Sequence, residues 1–464
     1  MDNITKEQRK AALDVMRATL AADSKFQTHL NACVKCGLCA TSCMYYIAYK
    51  DPKFIPGRKV DLVSSIYRRY FTPEGKYFPA LFRAKDLDAK MAEEMVDCLY
   101  GGCTMCGRCV KHCSIGVDVA YIVKKGREML AAMGLVPKTL QATVDAALNT
   151  GNNMAIPTEE FLDTLKWMEE ELQDEMNDEK ANIPVDQHDK KIMYTLNPRE
   201  PKFFPLSISA MAKVFYAAGE SWTLSSKYYD VTNYGYFSGN NAHAAQIAQY
   251  LYDEVHHLGA KQLILGECGH GSRASRWEGP NLIKHPYDFE METVLELMAE
   301  YIRSGRIKVD KSLNTTLCTL HDPCNLVRNG GLLREMRFVV KSCVSNFVEM
   351  TPHGNDNFCC GGGGGALAMS EYNERRLKIG EIKANQIRAT GAKIVITPCH
   401  NCVDQLMQLN HTYKLGVTIK TVAEIVADAL VITPAAAKPD PANDTATSAA
   451  GHSSEPAEKD PTLF

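Results

Sequence analysis

Cys33, Cys36, Cys39 and Cys43 are spaced C-x2-C-x2-C-x3-C, and Cys103, Cys106, Cys109 and Cys113 repeat the pattern. On so tight a loop three thiolates close on one face of a cube. The fourth, one helical turn on, points elsewhere. The spacing predicts two cubane [4Fe–4S] clusters with crossed ligation. Cys33, Cys36, Cys39 and Cys113 would hold one; Cys103, Cys106, Cys109 and Cys43 would hold the other. Zinc sites combine C-x2-C or similar pairs and do not use four cysteines at this spacing twice. Met44 and Ser114 stand where proline usually follows the fourth cysteine, which leaves the ligands intact.

A second group of cysteines is spaced differently. Cys324 lies three residues after His321. The adjacent Cys359 and Cys360 precede five glycines, Gly361 to Gly365. Cys399 and Cys402 flank His400 and Asn401. Five cysteines exceed the needs of one ordinary cube. Adjacent cysteines point in different directions, so Cys359 and Cys360 serve different irons or bridge two. The glycine run is not a phosphate loop, which needs a following Lys-Ser/Thr. It lets backbone approach cluster sulfur closely.

From roughly Asn31 to Val431 the chain resembles the catalytic subunit of heterodisulfide reductase (the HdrD-like family). It resembles more closely the related TmcB and DsrK subunits of membrane-bound redox complexes in sulfate-reducing bacteria. The resemblance implies that Cys324, Cys359, Cys360, Cys399 and Cys402 bind one non-cubane [4Fe–4S] cluster. It also implies partners: a membrane b-type cytochrome subunit, multihaem cytochrome c and other iron–sulfur subunits. The chain would be peripheral on the cytoplasmic, inner face of the membrane. Heterodisulfide reductase carries two full Cys-Cys-Gly domains. Here residues 233–239 replace the first Cys pair, and only Cys268 remains. Cubanes carry single electrons and disulfide chemistry needs two; the special cluster is where that mismatch would be met. A second reading is the iron–sulfur subunit of a flavin-linked hydroxyacid (glycolate or lactate) oxidase, and a third is a zinc scaffold.

Four smaller candidates surround this site: Cys268, His270, His321 and His400. For Cys268 two roles stand, one at the cluster as extra ligand or substrate-facing thiol, the other structural. Each histidine either hydrogen-bonds cluster sulfur or backbone, or donates a proton. Arg328 and Lys393 either stabilise negative charge there or are solvated. Cys98, Cys318 and Cys343 fall outside the motifs and read as buried thiols.

The elements that must position these residues are legible in part. Lys6–Ala22 is amphipathic, and 118–133 reads as a helix ending at Gly134. Phe161, Leu165, Met168, Leu172 and Met176 form a helical stripe with an acidic opposite face. Residues 180–205 hold four prolines and read as a linker. Beyond Leu206 short apolar strands, 262–265 and 394–397, each follow a helix and a Gly-Ala-Lys turn. Each places a cysteine just past the strand's C-terminal end, where open α/β sheets bind ligands. The fold expected is multidomain α+β. Residues 1–135 form a helical ferredoxin-like two-cluster module and 136–205 a helical and linker segment. A duplicated α/β pair follows, a degenerate half at 206–309 and a complete Cys-Cys-Gly half at 310–431. A tail at 432–464 is poor in apolar residues.

The 464 residues carry 52 Lys+Arg against 55 Asp+Glu, a net charge of −3 that argues against a nucleic-acid partner. No apolar run approaches the roughly 18–20 residues of a membrane span. The N-terminal residues lack the apolar stretch of a signal peptide. The 17 cysteines therefore read as reduced metal ligands rather than disulfides.

Overall fold

The computed structural model describes residues 3–432. The expected tail falls almost wholly outside the described residues. The N-terminal module is helical. Helices Lys6–Ala22, Pro56–Phe71 and Ala89–Leu99 pack around a central helix, Val119–Ala132. Thr5 opens the first with a reciprocal capping box to Gln8. Asp118 opens the central one by accepting from the Tyr121 N–H. Ten of the 14 residues of Val119–Ala132 are buried, so neighbours enclose it on nearly every side. The insert between the two cysteine loops supplies helices Met44–Tyr49, Pro56–Phe71, Pro73–Tyr77 and Ala89–Leu99.

The stripe Phe161, Leu165, Met168, Leu172 and Met176 is buried along helix Thr158–Met176. Glu170, Glu171, Asp174 and Glu175 on its other side are exposed. This helix packs on Leu206–Ala218.

Two four-stranded parallel sheets follow. The first contains β1 (Ile192–Tyr194), β2 (Trp222–Leu224), β3 (Gln262–Leu265) and β4 (Glu290–Thr293), in the order β2-β1-β3-β4. The second contains β5 (Cys318–Leu320), β6 (Phe347–Val348), β7 (Ile394–Ile396) and β8 (Thr418–Lys420), in the order β6-β5-β7-β8. The strand orders coincide, as a duplication requires. β3 and β7 are nearly continuous apolar strands, as sheets covered on both faces demand. The expected start of the first half at 206 is corrected by β1, which lies inside its sheet and pairs with both β2 and β3. The stretch read as a linker thus contains a sheet strand. Its prolines, Pro184, Pro198, Pro201 and Pro205, lie outside the three strand residues, so they break no ladder hydrogen bond.

A buried carboxyl latches the helical segment to the first half. Asp230 accepts from the Asn153 N–H (2.8 Å), Asn153 Nδ2 (2.7 Å) and the Thr232 N–H (2.6 Å). Burial still wins over these donors and raises its pKa from 3.8 to about 7. Between those values the native state holds a proton that the unfolded chain lacks. Its stabilising contribution is therefore complete below the lower value and is lost as pH rises through the upper one. Thermal melting should fall from about pH 5 to about pH 8, and Asp230→Asn should flatten that slope. An unchanged slope would remove Asp230 as its source.

Candidate metal centres

Every cysteine of the second group lies past the C-terminal end of a strand. His321 and Cys324 follow β5, Cys359 and Cys360 follow β6, and Cys399 and Cys402 follow β7. Gly269 and His270 come from the loop after β3 of the other half. Together these residues line one buried cavity. The strand edges of the two halves therefore meet there. His400 N–H donates to the Glu267 carbonyl (2.9 Å) and Gly269 N–H to Cys399 Sγ (3.3 Å). Val422 N–H donates to Glu267 Oε1 (2.9 Å), and Arg199 pairs with Asp404.

The cavity suits an anionic sulfur-ligated group. Its donor set is five cysteine sulfurs, and Cys360 and Cys402 sulfurs lie 3.3 Å apart. Backbone amides already point at the sulfurs: Gly361 N–H to Cys359 (3.3 Å) and Gly362 N–H to Cys360 (3.4 Å). A Cβ on Gly363 would sit 3.8 Å from Cys359 Sγ and 3.2 Å from the Thr104 carbonyl oxygen. One on Gly364 would come within 2.7 Å of Thr104 backbone. Gly361, Gly364 and Gly365 also have positive φ. The glycine run thus lets the third cysteine site press against the loop carrying Cys103 and Cys106.

Two imidazole nitrogens in this wall are buried without a partner among the described residues, Nε2 of His270 and Nε2 of His321. Burial holds both histidines below the ordinary imidazole pKa, His270 at about 4. Their neighbours fix the tautomer. Lys383 Nζ donates to Asn357 Oδ1 (2.6 Å), which turns the Asn357 amide nitrogen to His321 Nδ1 (3.4 Å). Asn401 Nδ2 likewise meets His270 Nδ1 (2.6 Å). Each Nε2 therefore carries the proton, and both residues line the cavity. His321 Nε2 or Nδ1 lies within 4.8 Å of the sulfurs of Cys360 and Cys402. His400 turns away: Nδ1 faces the Glu267 carbonyl (3.3 Å) and Glu200 (3.4 Å), Nε2 faces Ser207 Oγ (3.1 Å).

Cys268 does not line the cavity. It is wholly buried and opens its loop as a cap, accepting from the Gly271 N–H (3.3 Å) and Asn197 Nδ2 (3.4 Å), with Thr232 Oγ1 at 3.5 Å. Asn401 Nδ2, in the cavity wall, lies 4.0 Å from its sulfur, so Cys268 sits one layer behind the lining. Cys268→Ala should leave iron content unchanged and lower stability by about 1–3 kcal/mol, because buried donors lose their acceptor. Iron quantification and melting curves check both. Lys393 is exposed at the start of β7, the opposite edge from the site. Arg328 reaches the Asn355 carbonyl (2.7 Å) and the Cys106 carbonyl (2.8 Å), joining the two cysteine regions instead of facing the cavity.

In the N-terminal module, Cys43, Cys103, Cys106 and Cys109 line a second cavity, which brings the fourth cysteine of one loop to the first three of the other. Buried Lys59 lies in its wall, with Nζ 3.9 Å from Cys43 Sγ. Cys33 and Cys39 sulfurs flank Gly57, whose Cβ would sit 3.8 Å from each. Cys36 is exposed. Cys113 accepts from the Val117 N–H (3.4 Å). Cys98, Cys318 and Cys343 are buried away from both cavities.

Sequence patterns alone missed the buried cations. Lys59 sits four residues before Val63, and Lys383 between Ile379 and Ile387, each on its helix's apolar stripe. A cation on such a stripe is the signal of a buried anion. Arg108 was missed too; it donates to the Ser42 carbonyl (3.1 Å) and stacks on Phe358 (3.9 Å).

Residues 29–117 match the 4Fe-4S dicluster domain family, and residues 318–407 match the cysteine-rich domain family. The chain is 29% identical to the Hdr-like menaquinol oxidoreductase iron-sulfur subunit 2 of Archaeoglobus fulgidus, over 92% of this chain and 84% of that protein. It is 28% identical to the Hdr-like menaquinol oxidoreductase iron-sulfur subunit of Archaeoglobus profundus, over 93% and 85%. It is 25% identical to a subunit of the dihydromethanophenazine:CoB--CoM heterodisulfide reductase of Methanosarcina barkeri, over 86% and 94%. Among the described residues no helix is long and apolar enough to cross a membrane.

Proposed function

Taking this chain as an HdrD-like protein, which its cysteine-rich domain and its relatives over most of its length support, we propose that it is the iron–sulfur electron-transfer subunit of a membrane-associated oxidoreductase complex. Cys33, Cys36, Cys39 and Cys113 would hold one cubane cluster, and Cys103, Cys106, Cys109 and Cys43 a second. Cys324, Cys359, Cys360, Cys399 and Cys402 would hold a non-cubane cluster. Bound clusters supply one-electron relay at the first two centres and sulfur redox chemistry at the third.

The chain's own residues do the rest. Exposed Cys36 marks the end open to a redox partner. Lys59 balances thiolate charge at the second centre, and buried Lys383 does so at the third through Asn357 and His321. The Nε2–H groups of His270 and His321 donate to sulfur or to a sulfur substrate, which orients it and steadies negative charge. The observation that carries the reading is the contact of Thr104 with Gly363 and Gly364, which sets the second cysteine site against the third. Partners of this reading are a quinol-oxidising b-type cytochrome subunit, a multihaem cytochrome c and further iron–sulfur subunits, with the chain on the inner membrane face.

EPR of the purified complex, oxidised and reduced, with iron quantification tests it. Two cubane signals and one distinct signal are expected, with haem copurifying. Copurifying flavin without haem would favour the hydroxyacid-oxidase reading. Zinc in place of iron would overturn both.

A further inference from the structure

From the end of helix Pro73–Tyr77 to helix Ala89–Leu99 the chain makes a loop whose first apolar residues face outward. Tyr77 is 70% exposed, Phe78 63%, Leu81 77% and Phe82 39%. Four large exposed apolar side chains within six residues are a cluster in the chain rather than scattered singles. The loop is ordered. Phe82 N–H donates to the Phe78 carbonyl (3.2 Å) and Ala84 N–H to the Pro79 carbonyl (2.9 Å). Its base is pinned by Lys85 N–H to the Ser65 carbonyl (3.2 Å) and by Arg69 to the Lys76 carbonyl (3.2 Å) and Asp86 (2.8 Å). Leu87, next along, is fully buried. The apolar tip is therefore held out by the fold.

Charge surrounds the tip. Arg68 pairs with Asp61 and Arg69 with Asp86, which leaves Lys76, Arg83 and Lys85 beside one further acid, Glu74. Among the described residues Lys76, Arg83 and Lys85 make no ion pair, and all three are exposed. Aromatic rings with a rim of Lys and Arg are the chemistry of the membrane–water interface. The rings sit at headgroup depth while the cations meet lipid phosphate. A protein partner would have to offer both a socket for a convex tip and acids for three cations. An anionic bilayer offers both without a matching shape.

We propose that residues 76–85 are a membrane-contact loop, with Tyr77, Phe78, Leu81 and Phe82 entering the headgroup region of an anionic bilayer and Lys76, Arg83 and Lys85 meeting its phosphates. The proposal rests on the reading of the chain as a membrane-complex subunit only for the presence of a bilayer. It does not depend on which clusters are bound, so the two readings fail separately.

The test is cosedimentation of the full iron-loaded chain with vesicles of phosphatidylcholine alone or mixed with phosphatidylglycerol. Binding is expected to the mixed vesicles only and to weaken as salt is raised. F78S/L81S should weaken it by about tenfold or more while leaving iron content and melting unchanged, because both side chains are exposed. A Phe78→Trp variant should show blue-shifted emission on the mixed vesicles. Absence of binding to either vesicle would overturn the proposal, as would equal binding by wild type and F78S/L81S. So would loss of F78S/L81S from the membrane complex in detergent combined with no vesicle effect, since that assigns the loop to a protein contact.

Discussion

Replacing Arg127 with methionine should destabilise the whole molecule, by about 3–5 kcal/mol, toward the top of what one substitution does. Its guanidinium is fully buried and donates to four carbonyls: Leu99 (3.0 Å), Cys103 (2.9 Å), Phe237 (2.7 Å) and Gly364 (2.7 Å). Those acceptors belong to the helical module, the first half and the glycine run of the second. Methionine replaces the aliphatic stem as far as Nε and has no donor, so four buried carbonyls lose their partner. Lysine presents one ammonium where a flat fork served four directions, and it should recover only part of the loss. A lowered urea midpoint and faster iron loss in both variants, more severe for methionine than for lysine, is the expected result. A midpoint unchanged in Arg127→Met would show that the junction holds by apolar packing alone.

Cys360→Ser should abolish the third centre and the sulfur chemistry assigned to it while sparing the first two. Its sulfur lies between the Gly362 N–H and Cys402, deep in the cavity wall. A hydroxyl is a poorer ligand for iron than a thiolate and is too short to restore the contact. Iron should fall by the content of one cluster, the distinct EPR signal should vanish, and the two cubane signals should persist. Cys36→Ser gives the converse test. It should alter one cubane signal and leave the third centre in place. Loss of every signal in both variants would mean that the centres assemble as one unit, and would refute their separate assignment.

Much of this arrangement was legible in the chain because ligation and helix packing leave short-range patterns. The two four-cysteine spacings already set Cys43 apart from its own loop, and the structure brings it to Cys103, Cys106 and Cys109. The stripe from Phe161 to Met176 matched a helix residue for residue. What stayed hidden depends on contacts distant in sequence. β1 has only three residues among prolines, and it becomes a strand because β2 and β3 flank it. Cys268 looked like a site residue because it follows a strand. Asn197 and Thr232, both remote in sequence, draw its sulfur into the first half instead. The missing cysteine pair is replaced by helix Tyr234–Ser238, whose Tyr234 and Phe237 rings pack on His270 (5.6 and 4.5 Å between centroids). From the first half the cavity is lined by Gly269 and His270, and all its sulfur comes from the second.

The start of helix Pro56–Phe71 touches both N-terminal cysteine sites within three residues. Gly57 backs Cys33 and Cys39, and Lys59 reaches toward Cys43. One turn of backbone thus spans both cysteine sites and would set the spacing between the two clusters proposed for them. On the proposed reading, an electron crossing from one to the other would meet surroundings that are already oriented, with the ammonium of Lys59 held by burial and by the Phe54 carbonyl (3.4 Å). Little nuclear rearrangement has to accompany the charge. In kinetic terms the reorganisation energy of such a step would be kept small by a glycine and a lysine placed two residues apart.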